Sequence, residues 1–404
     1  MSVHETGERR SEFDPIEPSF VADPHPRYAE LREKCPVAHS DRWDFHLLTR
    51  YDDIVAAATN PRIFSSEWGV TVPRNPVSGR RAPMHFDPPE HTRFRRAMNP
   101  SFRDERMATL EPRLRQVAQG LLRGALSEQD SDFAAAYVSP LTSQALAAFL
   151  GLAAADGDFF DEHSLLFENA QFRYDGAAAE VENLVLYDFA REIVAGRRKS
   201  PLDPRDDFTS ALLELADRED ALDDEFAVGA LRQLFIAGHV APRVAIAGAI
   251  AHLARDRSLQ GQLRDEMCLV PAAVEELLRL HAPNQGFSRT AREDVDLGGR
   301  HIGAGQQVAF AFPSANRDGR YFPDPDRFDL TRDTRRHLAF GSGVHKCAGA
   351  TLARLEVRIA LEELLTATAS FELSREPEMI GWPMTGPKAV RLSAVPAREW
   401  HGQA

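Results

Sequence analysis

Phe340-Gly341-Ser342-Gly343-Val344-His345-Lys346-Cys347-Ala348-Gly349 sets one cysteine between a glycine-bearing turn and the start of a helix. From Ala348 to Thr368 the apolar residues Leu352, Leu355 and Ile359 recur at +3 and +4, the spacing of one helical face. A helix N-terminus carries partial positive charge and unpaired N–H groups, and both stabilise an anionic sulfur. Gly341 and Gly343 let backbone N–H groups approach that sulfur, while His345 and Lys346 add positive charge. Taken singly, a cysteine beside a glycine turn is an ordinary buried residue. The ten residues together describe a thiolate prepared as a metal ligand.

The stretch resembles the haem-binding loop of the cytochrome P450 superfamily, Phe-Gly-x-Gly-x-His-x-Cys-x-Gly, with every position matched. The resemblance implies that Cys347 is the proximal ligand of the iron in haem b (iron protoporphyrin IX), with Phe340, Gly341, His345 and Gly349 against the cofactor. It also implies the fold: mainly α with small β-sheets, a single-domain prism over residues 1–404 with a long central helix crossing the haem. The likeness runs from about residue 18 to the C-terminus, and residues 1–17 are expected to be an extended or disordered segment.

Bulk properties agree with a globular haem protein. Hydrophobic content of 43% and charged content of 27% are ordinary for a chain with a large core. Cys35, Cys268 and Cys347 have no paired spacing, so no disulfide framework is expected and a reducing, cytoplasmic setting fits. Met1 to Phe13 is polar and charged, without an apolar signal region, and no run of about 18 uninterrupted apolar residues suggests a membrane span. The net charge of −13 argues against nucleic-acid binding. Positive charge is nonetheless local: Arg93, Arg95, Arg96, Arg103 and Arg106 lie close in sequence, and Arg335, Arg336, Lys346 and Arg354 bracket the cysteine. Two readings stay open for these, a solvated face or a docking patch for an acidic electron carrier.

Periodicity predicts helices over Pro26–Arg32, Tyr51–Ala58, Arg103–Leu126, Pro140–Leu152, Ala178–Ala195, Asp207–Leu215 and Ala272–Leu280. Short strands are expected at Phe45–Leu48, Gln307–Phe310 and Ala389–Leu392. Glu276 and Arg279 are three apart and so share a helical face. With the later Tyr321–Phe328 segment they resemble the family's Glu-x-x-Arg motif and its arginine-bearing loop, which implies a buried charge network of Glu276, Arg279 and Arg327. His91 and Arg95, one helical turn apart, resemble the family's His-x-x-x-Arg segment. With Arg289 and His345 they are implied to hold the haem propionates, since buried anions require cationic partners.

One segment departs from the family. Asp224 to Arg255 reads as a single, mostly apolar helix of about 48 Å at 1.5 Å per residue, with Asp223 as its N-cap. Arg232, Gln233, His239 and Arg243 exclude a membrane reading. Where the family has Ala-Gly-x-acid-Thr at the oxygen site, this chain has Ala237-Gly238-His239-Val240-Ala241-Pro242. Ala237 and Ala241 are implied to face the haem, but neither Val240 nor Ala241 can carry a proton. Pro242 removes the N–H that would pair with the Gly238 carbonyl, so that carbonyl can hold a water as a substitute. His239 is a second candidate for the proton.

Pocket segments implied by the resemblance are Trp68–Pro83, Phe167–Phe172, Leu234–Ala241, Pro283–Phe287 and Ile380–Met384. Their aromatics Trp68, Phe167, Phe172, Phe235, Phe287 and Trp382 suggest an apolar small-molecule substrate, aromatic ones included. The implied function is a monooxygenase using O2 and electrons from NAD(P)H. These arrive through a ferredoxin- or flavodoxin-type donor, or a fused reductase absent from this chain, to hydroxylate or O-dealkylate the substrate. The alternatives are an unconventional haem-thiolate cycle (peroxygenase, oxidative coupling or nitration), motivated by Val240 and Ala241, and a non-enzymatic haem sensor.

Overall fold

The apolar repeat after Cys347 forms the helix Ala350–Ala367, with Leu352, Leu355 and Ile359 buried. It packs against the helices Asp104–Ser127, Val240–Ala254 and Val270–Leu280, and these surfaces make the main hydrophobic core. The computed structural model describes residues 12–74, 77–218, 222–398 and 400. Helices dominate, and the sheets are small.

The largest sheet has five strands in the order Val37–Ser40, Phe45–Leu48, Gln307–Phe310, Phe287–Ala291, Phe64–Ser65. Phe45–Leu48 runs parallel to Gln307–Phe310, with Leu48 opposite Phe310; the other pairs are antiparallel. Its Phe310 belongs to a second core shared with Phe312 and Leu338, the approach to the cysteine loop. The expected strand Ala389–Leu392 begins two residues later, as Arg391–Pro396, and pairs with Thr368–Leu373. The expected helices are present, with ends shifted by a few residues, and Tyr51–Ala58 is unshifted.

Of the expected N-terminal segment 1–17, residues 1–11 lie outside the described residues. Residues 12–17 contain no helix or strand, but Phe13 anchors them, its ring 5.9 Å from Phe20 and 5.6 Å from Phe45.

The expected single helix over Asp224–Arg255 is corrected. Two helices, Asp224–Ala237 and Val240–Ala254, meet at a turn of Gly238 and His239. Asp223 caps the first, accepting from the Phe226 N–H. Gly238 has weak helix propensity and Pro242 has no N–H to offer the Gly238 carbonyl, so the hydrogen-bond ladder fails there. A Cβ on Gly238 would lie 2.9 Å from the Leu234 carbonyl and 3.1 Å from Leu146, so only glycine lets the neighbouring helix approach. The stretch Asp224–Ala254 is long and apolar enough to cross a membrane, yet 72% of its apolar window is buried against protein. It is a core element.

Candidate active site

Cys347 is held by its own loop. Its N–H donates to the Phe340 carbonyl at 2.9 Å, and the Gly341 N–H donates to Leu338 at 2.9 Å. Gly341 and Gly343 sit at φ +69° and +72°, the left-handed region that glycine adopts without strain. The backbone N–H of Gly349 donates to the sulfur, and Arg95 and Arg354 add positive potential. Burial outweighs them and raises the thiol above its ordinary value. The free surface of Cys347 faces a cavity. A metal that binds there displaces the proton, since the thiolate is the ligand.

That cavity is mostly apolar, with a volume of about 350 Å³, within the range of ligand pockets. His91, Arg95, Arg289 and His345 all line it. The rings of His91 and His345 are 4.2 Å apart, and both nitrogens of buried His91 lack a hydrogen-bond partner. Burial first, then His345 and Arg95, lower His91 to about 3. The nearby carboxylate, Asp87, accepts from Ser65, the Ser66 N–H and Arg292 and lies 3.9 Å from His345. Four cationic or donor groups thus converge on one cavity wall beside a single, already engaged carboxylate. The two propionates of a haem would complete the charge of such a wall, and the Cys347 thiol lines the same cavity; the residues fit the cofactor.

The helix break forms another part of the wall. Ala237, Gly238, Val240, Ala241 and Pro242 line the cavity, and His239 does not. His239 is fully buried, with Nδ1 2.8 Å from the Thr142 hydroxyl and Nε2 2.7 Å from Asp161. The expectation that it carries a proton to the site is therefore corrected: both ring nitrogens are engaged elsewhere. Glu168, unread in the sequence, lines the cavity and pairs with Arg243, leaving its second oxygen without a partner. Burial raises its carboxyl above the ordinary value despite Arg243.

Three of the six expected pocket aromatics, Phe167, Phe172 and Phe287, line the cavity. Trp68 is half exposed, Phe235 packs on Phe160, and Trp382 donates its indole N–H to Val72. Phe102, Phe310 and Phe312 take places the sequence left unassigned, beside the expected Phe340.

Behind the cysteine loop, Arg279 donates Nε and Nη2 to the two oxygens of Glu276, each at 2.7 Å, with both residues fully buried. The third side chain is Arg332, not the expected Arg327. Arg332 Nε lies 2.9 Å from Glu276, whereas Arg327 contributes its carbonyl, accepting from Arg279 and Arg332. The basic patch is also thinner than its sequence suggested. Arg354 binds Glu275, Arg335 binds Asp333, Arg106 donates to the Phe149 carbonyl, and Arg95 faces the cavity. Arg96, Arg103, Arg336 and Lys346 are exposed.

Comparison with known proteins agrees with this geometry. The family model described as Cytochrome P450 matches residues 171–391. A vitamin D(3) 25-hydroxylase of Pseudonocardia autotrophica is 34% identical over 376 residues, 90% of each chain. A mycinamicin IV hydroxylase/epoxidase of Micromonospora griseorubida is 34% identical over 372 residues, 88% of this chain and 91% of that one. A crystal structure of a Bacillus megaterium cytochrome P450 in complex with testosterone has a TM-score of 0.83 at 29% identity, covering 93% of this chain and 98% of that one.

Proposed function

The chain belongs to the cytochrome P450 family, and from that premise we propose that it is a haem b monooxygenase inserting one oxygen atom from O2 into an apolar small molecule by hydroxylation or O-dealkylation. The observation that carries the reading is the single cavity that joins the Cys347 thiol, the unpartnered His91 and the apolar helix break. Cys347 would hold the iron, and His91, Arg95, Arg289 and His345 the propionates. Phe340, Gly341, Gly349, Ala237 and Ala241 would pack against the ring. When bound, the haem supplies oxygen activation, with the thiolate donating electron density.

The protein's own part is binding, exclusion of water and proton supply. Phe167, Phe172 and Phe287 give the substrate an apolar wall. Relatives named for vitamin D(3) and mycinamicin IV, and a structural neighbour crystallised with testosterone, support a bulky apolar substrate. With no hydroxyl at position 241, the Gly238 carbonyl is the acceptor that can hold a water at the cavity wall and pass its proton inward. Electrons would come from NAD(P)H through a ferredoxin- or flavodoxin-type partner, for which exposed Lys346 and Arg336 offer positive charge. Free cysteines suit a cytoplasmic setting.

The test is turnover of the haem-loaded protein with a surrogate ferredoxin and reductase under isotopically labelled O2. One labelled oxygen in a hydroxylated product, or in the aldehyde released by O-dealkylation and trapped before it exchanges with water, supports the reading; oxidised product with no label in either, or no product, sinks it. A second reading, peroxide-driven turnover, is favoured by one observation, the apolar Val240 and Ala241 at the oxygen-site wall. Peroxide turnover outpacing the reductase-driven rate would select it.

A further inference from the structure

Two buried arginines have no part in that chemistry. Arg81, in the loop before the helix Glu90–Met98, lines the cavity and is 8% exposed. Arg232, on the helix Asp224–Ala237, is 0% exposed. All three guanidinium nitrogens of Arg232, and Nε of Arg81, lack a hydrogen-bond partner among the described residues. Arg81 Nη2 donates to His85 Nε2 at 2.8 Å. Arg232 lies 4.6 Å from the ring of Phe167, itself a cavity wall, and 5.8 Å from that of Tyr187, whose hydroxyl is also unpartnered.

No described carboxylate answers these two charges. Arg232's charged neighbours are Arg81, Tyr187 and Glu180. Glu180 is engaged by Ser78 and Asn183; of the two carboxylates that line the cavity, Glu168 is engaged by Arg243 and Glu356 lies beside Cys347, and neither is among the charged neighbours of Arg81 or Arg232. The propionate-binding quartet is a separate cluster: His91's charged neighbours are His345, Arg95, Asp87 and Arg289, with neither Arg81 nor Arg232 among them. Burial lowers Arg81 to about 10; burial and Arg81 lower Arg232 to about 9, so both stay charged at neutral pH. An uncompensated buried charge is strongly destabilising, and a pair of like charges more so. Such an arrangement persists where a ligand completes it.

We propose that the substrate carries a carboxylate, which Arg81 receives at the cavity wall while Arg232 behind it supplies the second positive charge. A guanidinium matches a carboxylate geometrically and can bind it through two parallel N–H donors. The remaining apolar body of the substrate lies along Phe167, Phe172 and Phe287, so the anchored end fixes which carbon is presented for oxidation. The proposal rests on the monooxygenase reading for the fate of that carbon, but not for the binding itself.

The test is a spin-state titration of the ferric holoprotein with dodecanoate and 2-naphthoate, each against its methyl ester. The expected result is an acid bound at least tenfold more tightly than its ester, with the preference abolished in Arg81→Met while ester affinity is kept. Esters binding as tightly as acids, or a preference that Arg81→Met leaves intact, overturns the proposal. A second measurement needs no ligand. If Arg232 is unpaired in the resting protein, Arg232→Met raises the unfolding temperature of the ligand-free holoprotein by a few degrees. A fall shows a structural partner and overturns the proposal, and this readout decides the matter if none of the four probes binds. Failure of the monooxygenase reading is seen separately, as absence of O2-derived oxygen from the product in the labelled-O2 turnover, which leaves the acid-over-ester preference untouched.

Discussion

Arg332 donates its Nε to Oε1 of Glu276 at 2.9 Å, and this contact completes a fully buried carboxylate that already holds Arg279. Removing the carboxylate leaves two guanidiniums facing each other without a counter-charge. Glu276→Gln is expected to cost about 3–5 kcal/mol, read as a lower denaturation midpoint of the holoprotein. Arg327→Ala removes an exposed side chain and keeps the carbonyl that the network uses, so it should stay within about 0.5 kcal/mol of wild type. Equal losses in the two variants would return Arg327 to the network.

Gly341 and Gly343 share a left-handed backbone but not an environment. A Cβ on Gly341 meets only Phe312 at 3.7 Å, whereas one on Gly343 would sit 2.3 Å from the Ala58 carbonyl. Gly341→Ala should cost the conformational penalty of about 1–2 kcal/mol. Gly343→Ala should cost clearly more and release haem faster, measured by transfer to apomyoglobin.

Proton supply at the helix break is tested from both sides. Pro242→Ala restores an N–H that can close on the Gly238 carbonyl, and should lower the fraction of consumed O2 that appears as product. Ala241→Thr introduces a hydroxyl at the cavity wall and should raise it. If neither variant changes that coupling, the Gly238 carbonyl has no part in proton delivery.

His239 is a structural residue by its contacts. His239→Leu removes one contact each from the Thr142 hydroxyl and the Asp161 carboxylate, both of which keep hydrogen bonds to Ser139, at a cost of about 1 kcal/mol. Because the imidazole does not line the cavity, the substrate-induced spin shift should keep its midpoint.

Several histidines are buried neutral. Burial, with nearby arginines, holds His25 and His281 well below their ordinary 6.5, and lowers His85 to about 3. The unfolded chain therefore binds more protons, so this contribution is complete above about pH 6.5 and is lost as pH falls toward the folded values. Each such histidine adds a slope of up to about 1.4 kcal/mol per pH unit. Unfolding midpoints taken from about pH 7.5 down to 5 should fall steadily, and less steeply in His281→Leu. A flat profile would show these imidazoles to be solvated.

The cysteine loop was legible because its chemistry is local: the turn, the ligand and the helix start lie within ten residues. The propionate quartet was legible only through resemblance, since His91, Arg289 and His345 are far apart in the chain. The helix Ala154–Phe172 escaped notice because acidic and apolar residues alternate irregularly along it, yet it brings Phe167, Phe172 and Glu168 to the cavity. The break at Gly238 was visible as Gly and Pro four apart, but the stretch reads by periodicity as one continuous helix.

The sequence by itself determined the candidate ligand cysteine, the helical class and the apolar residues at positions 240 and 241, each of which depends on residue type and short spacing. The tertiary structure decided that Arg332 rather than Arg327 meets Glu276, that His239 turns to Asp161, and that Arg81 and Arg232 lie together without a carboxylate partner among the described residues. These facts concern which long side chains meet across packed helices and loops. An arginine or histidine reaches several angstroms from its backbone, so its partner is set by packing geometry that no local pattern encodes.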